Sequence, residues 1–190
     1  MRNDSTPKTT RRTRIVVGTA VGAVALAGAG TFGAMSASAS PAAPKPAAAQ
    51  SAKGGDVTTS SHLTVAAATK SAQAALDAAK KENQKVSVAV VDRNGNTIVT
   101  LRGDGAGPQS YESAEKKGYT AVSWNAPTSE LSQRAEKTPN LKDIPGTLFL
   151  AGGAPVQAKG APVAGVGVAG APSGDLDEKF ARAGVAALDK

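Results

Sequence analysis

Apolar and small residues recur at intervals of three and four in Val65, Ala68, Ala72, Ala75, Leu76 and Ala79. This spacing predicts a helix with one narrow inward face. Thr64 can cap its start, and Lys80 and Lys81 bring positive charge to the negative end of its dipole. The pattern then changes. Residues 86–92 form a β-branched run with nearly every position apolar, which predicts a central strand covered on at least one face. Arg93-Asn94-Gly95-Asn96 reads as a hairpin turn, since Asn-Gly reaches positive φ at little cost, and 97–102 returns as the second strand. A loop follows over 104–108. Residues 110–124 read as a helix with Tyr111, Ala114, Gly118, Ala121 and Val122 on its inner side, and 128–136 as a short helix. Strands are expected over 147–150 and 163–169, with an apolar stretch at 155–158 between them. The turn at Lys159-Gly160 separates the last two. Repeated glycines in 163–169 let a neighbour pack close to the backbone. A last helix over 175–188 opens with Asp175, Asp177 and Glu178 and buries Phe180, Ala181, Gly184, Val185 and Leu188. Strands paired as hairpins with helices between them predict an α+β fold: an antiparallel sheet flanked by helices.

The chain before this pattern is different in kind. Residues 1–14 are polar and basic, residues 15–35 are apolar and uncharged, and Ala37-Ser38-Ala39 follows. That succession predicts a signal peptide cleaved after Ala39. Arg11-Arg12 precedes a Gly- and Ala-rich, weakly hydrophobic stretch, which favours twin-arginine export over the Sec route and a secreted, extracellular protein. Residues 40–60, rich in Pro, Ala and Gly, read as a spacer, and the folded domain as 61–190.

Composition narrows the chemistry. With no Cys, the chain holds no disulfide, zinc ribbon, iron–sulfur cluster or thiol nucleophile. A single His, His62, excludes any site needing two imidazoles from one chain. The net charge of +7 is misleading as a whole, because residues 1–39 hold five cations and one acid. The 17 basic and 14 acidic residues that remain describe an ordinary solvated surface, and no nucleic-acid partner is expected. Gly165-Val166-Gly167-Val168-Ala169-Gly170 matches a nucleotide-binding pattern in letters only, since it lies inside a strand and not in a strand-to-helix turn.

Three groups of residues remain as candidates. Asp77 and Glu82 flank Lys80-Lys81 and could hold a surface metal ion. His62, at the junction of spacer and domain, could serve as an axial haem ligand. Lys116 and Lys117 lie within about one helical turn of Thr120, and two ammonium groups beside a hydroxyl could grip propionates or another small anion. Tyr119 is the aromatic neighbour of that group. A solvated charged face is the competing reading of both clusters.

A set of short motifs in fixed order bears on these alternatives. Val88-Ala89-Val90-Val91-Asp92 with Gly95, Asp104-Gly105, Lys117-Gly118-Tyr119-Thr120-Ala121, Pro145-Gly146, Gly152-Gly153 with Pro155-Val156, the 165–170 glycines and Asp177-Glu178 together resemble the GlcG/HbpS family over roughly 62–190. The resemblance implies a profilin-like subunit, assembly into an octamer, binding of haem, handling of iron ions and redox-dependent control of a sensor histidine kinase in a two-component system under oxidative stress. Catalysis, on this view, is at most haem degradation or weak haem-dependent redox activity. The family position implicated in haem coordination corresponds to Thr120. Gly118-Tyr119 stands where the family pattern has Ala-Arg. Two alternatives stay open: a GlcG-like accessory protein or enzyme acting on a small metabolite, and a structural oligomeric module.

Overall fold

A computed structural model describes residues 51–189. The expected signal peptide, its Arg11-Arg12 pair and residues 40–50 of the expected spacer lie outside the described residues. Residues 51–60 are exposed throughout and contain one 3-10 turn, Gly54–Asp56. Among the described residues no helix is long and apolar enough to cross a membrane.

Helix α1 spans Val65–Lys81, and Thr64 caps it by accepting a 3.2 Å hydrogen bond from the Ala67 N–H. Strands β1 (Ser87–Asp92) and β2 (Thr97–Arg102) form the first hairpin. Helix α2 covers Pro108–Trp124, with Pro108 at a position where its missing N–H costs nothing. Helix α3 (Thr128–Lys137) and a 3-10 turn (Pro139–Asp143) lead to β3 (Gly153–Ala158) and β4 (Ala161–Ala169), and α4 spans Gly174–Ala186. The sheet is antiparallel throughout, in the order β2-β1-β4-β3. The α+β architecture matches the expectation.

Alternation along the central strands divides the core. Val86, Val88, Val90, Ala164, Val166 and Val168 meet Ala68, Ala72, Ala75, Ala79, Phe180 and Ala181 of α1 and α4. The other face, with Ala89, Val91, Gly165 and Gly167, receives α2. Here the glycines are obligatory. A Cβ at Gly167 would overlap the Ala114 carbonyl, and one at Gly165 would overlap the Gly118 carbonyl, so α2 lies directly on the β4 backbone.

Three expectations need correction. Val65 is 67% exposed, because α1 turns it away from the sheet at its first residue, and Tyr111 likewise sits on the outer side of α2. Residues 147–150 pair with no strand. Their polar groups are taken locally and by helices: Thr147 bonds to the Ile144 carbonyl, the Leu148 N–H goes to Thr120, and Phe149 stacks edge-on against Trp124 with ring centroids 5.1 Å apart. Tertiary contacts therefore overrule the apolar pattern, and the edge strand starts only at Gly153.

Candidate functional site

Successive residues of a helix point about 100° apart, so the segment from Glu115 to Thr120 is divided between two environments. Lys116 is 41% exposed at its side chain and pairs with Glu112 one turn earlier, at 2.7 Å. The hydrogen bond from Lys116 holds the Glu112 carboxyl below its ordinary range. Lys117 was expected beside it as a second cation for an anion. Its side chain is instead 6% exposed, and its Nζ donates to Asp177 Oδ2 at 2.8 Å and to the Val168 carbonyl at 3.1 Å. The adjacent lysines thus do not form one anion clamp, since neighbours in a helix do not share a face.

Burial pushes the Asp177 carboxyl above its usual value, although Lys117 and the Ala171 and Gly170 N–H groups pull the other way. The pair joins α2 to α4 past the end of β4. Next to it, Glu178 accepts from the Ser129 N–H and hydroxyl, both at 2.8 Å, and from Arg182. Glu178 therefore caps α3, whose own N-cap residue, Pro127, offers no side-chain acceptor. Burial raises the Glu178 carboxyl, but the bonds from Arg182 and Ser129 outweigh it and the net shift is downward.

Thr120 is fully buried. Its hydroxyl donates to the Lys116 carbonyl at 2.7 Å and accepts the Leu148 N–H at 2.8 Å. Both hydrogen-bonding roles of the oxygen are filled, and Thr120 fixes the 144–148 segment against α2. Residues 147 and 148 of that segment, expected to begin a strand, are instead loop held to α2 by this hydroxyl.

Tyr119 faces outward into a small cleft of about 110 Å³ lined by Val91, Gly95, Thr97, Glu115, Lys116 and Gly146. A Cβ on Gly95 would lie 2.7 Å from the Tyr119 ring, so the hairpin turn can approach the ring only as glycine. Glu115 is anchored by the Thr100 hydroxyl at 3.0 Å. The turn is braced by Asp92, whose Oδ1 accepts the Asn94 and Asn96 N–H groups at 2.8 Å. Burial is the largest single influence and raises the Asp92 carboxyl, but the Asn96 and Asn94 bonds and the His62 ring together prevail and hold it low. His62 Nδ1 lies 4.0 Å from Asp92 Oδ2, and Nε2 lies 2.8 Å from the Ser60 hydroxyl. His62 and Tyr119 therefore meet the same turn.

Asp77 and Glu82 do not converge. Asp77 accepts from Gln73 one turn earlier, and Glu82 pairs with Lys179 of α4 at 2.6 Å. Among the described residues no group of three or more metal-ligating side chains forms. In place of the expected metal site stand one contact within α1 and one between the end of α1 and α4.

Similar proteins give this arrangement a context. Residues 63–186 match the family described as haem degrading protein HbpS-like. A double mutant of HbpS from Streptomyces reticuli is 72% identical, covers 75% of this chain and 97% of its own, and superposes with a TM-score of 0.74. The PduOC:haem complex is 27% identical, covers 67% of this chain and 95% of its own, with a TM-score of 0.61. An uncharacterized 15.0 kDa protein of Citrobacter freundii is 34% identical over 113 residues, which is 57% of this chain and 80% of that one. The chain belongs to the HbpS-like family of haem degrading proteins.

Proposed function

We propose that this protein is a secreted, haem-binding and iron-handling protein that modulates a membrane sensor kinase of a two-component system in response to haem or redox stress. The observation that carries the haem part is the family match over 63–186, which takes in every residue lining the Tyr119 cleft. The haem complex of a structurally similar protein supports it. The chemistry of this chain's own groups fits haem held at a surface. His62 is the sole imidazole and is exposed, the Tyr119 ring offers an aromatic wall, and Lys116 a cation for a propionate. Thr120 acts as a positioning residue through Leu148. A cleft of about 110 Å³ cannot enclose a porphyrin, so a second copy of the chain would cover the remaining face, in keeping with a homo-oligomer. Bound haem would supply a redox-active iron for weak redox chemistry, and for haem degradation only with O2 and an external electron donor as co-reactants.

Titration of the chain from Ser40 onwards with haemin tests this reading. A saturable Soret band supports it, and a non-saturating, linear absorbance change overturns it. Three further measurements address the finer parts. Replacing Arg11 and Arg12 by lysine should abolish secretion, and light scattering should give a mass several times the monomer. Autophosphorylation of the sensor kinase should respond to the haem-loaded protein.

A further inference from the structure

We propose a second binding site: the cleft between the end of α1 and the β2–α2 loop takes a small organic dianion, a dicarboxylate or a phosphomonoester. The cleft measures about 300 Å³ and is lined by Leu76, Lys80, Asn83, Lys85, Gly103 and Asp104. It lies at the other end of the β1–β2 hairpin from the Tyr119 cleft, since Lys85 precedes β1 and Gly103 follows β2. Lys80 and Lys85 both line it, and among the described residues neither has an ion-pair partner. Asp104 has none either. Nearby Lys179 is by contrast spent on Glu82, a contact that ties the end of α1 to α4.

The walls are preformed by backbone constraints. Gly103 has no room for a Cβ, which would lie 2.8 Å from the Val86 carbonyl oxygen and 3.0 Å from Leu76. Gly105 has φ +76°, and the Lys85 stem runs past it, 3.0 Å from where its Cβ would be. Asn83 turns the chain out of α1 at φ 57°. Two ammonium groups outweigh the single Asp104 carboxylate and the negative end of α1 and so attract an anion, Leu76 offers an apolar wall for a short carbon chain, and Asp104 can accept from a ligand hydroxyl. This site is independent of the haem reading.

Isothermal titration of the chain from Ser40 onwards, in low-salt buffer, uses malate, glycerol 3-phosphate and acetate as probes. Saturable binding of malate or of glycerol 3-phosphate, at least tenfold tighter than acetate, is the expected result, and the tighter of the two identifies the class. The Lys80→Gln/Lys85→Gln variant should lose at least tenfold in affinity for that dianion and keep the haemin titration of the unaltered protein. Absence of saturable binding, equal binding of acetate, or an unchanged variant overturns the proposal. Loss of haemin binding in the variant also overturns it, by making the cleft part of the haem site.

Discussion

Lys116 and Lys117 leave the same helix into opposite surroundings. The outer face of α2 carries Lys116 and Tyr119 beside an open cleft, with a charge pair exposed on both sides. The inner face carries Lys117, Gly118 and Thr120, each sealed against another element: Asp177 of α4, the β4 backbone, and the 144–148 segment. Inner-face polar groups are fixed because they have lost water and gained partners, two for the Lys117 ammonium and two for the Thr120 hydroxyl, so removing one side chain strands the others. Outer-face groups are solvated, cost little to change, and remain free to meet a ligand. Stability and binding are thus separated within a single helix turn, and substitutions on the two faces should have different readouts.

The largest effect is expected from Lys117→Met. It leaves Asp177 buried without its cation and should destabilise the domain by about 3–5 kcal/mol in urea unfolding. Adding Asp177→Leu should restore part of that loss, because the stranded charge is then gone while the Ala171 N–H is left without its acceptor. Next comes Gly167→Ala, whose methyl overlaps the Ala114 carbonyl and must lift α2 from the sheet. Overpacking of this kind costs about 1–3 kcal/mol, read as a lower denaturation midpoint. Thr120→Val strands the Leu148 N–H, a loss of about 1–3 kcal/mol, and should raise amide exchange in 144–150 before the rest of the domain. Glu178→Gln sharpens the comparison through pH. The Glu178 carboxyl lies below its ordinary value of 4.5 in the folded state, so its contribution is complete above that value and lost as pH falls through the folded-state value. Wild type and variant should therefore differ in stability at neutral pH and converge in acid. Lys116→Ala is expected to change stability least, while still weakening haem binding.

Much of the scaffold can be read from local rules. Thr64 caps α1, Asn94-Gly95 turns the hairpin, and the glycines of β4 announce a close neighbour, because each signal lies within a few residues of its effect. The partner of Lys117 could not be read so. Asp177 is 60 residues away, and its place in the first turn of a helix explains an acid there without any ion pair. Residues 147–150 mislead for a related reason. Their apolar side chains fit a strand, but the Thr120 hydroxyl and the Trp124 ring claim them first. The candidate site depends on such distant pairings: Tyr119 over Gly95, Gly146 beside it, and His62 against Asp92.

The most direct test of the division between the two faces is a set of parallel haemin titrations of the chain from Ser40 onwards, comparing the unaltered protein with Lys116→Ala/Tyr119→Ala and with Lys117→Met/Asp177→Leu. The outer-face variant should keep its unfolding midpoint and lose the saturable Soret band, while the inner-face variant should keep the band. An intact band in the outer-face variant, or its loss only in the folded inner-face variant, would contradict the assignment of haem to the outer face of α2.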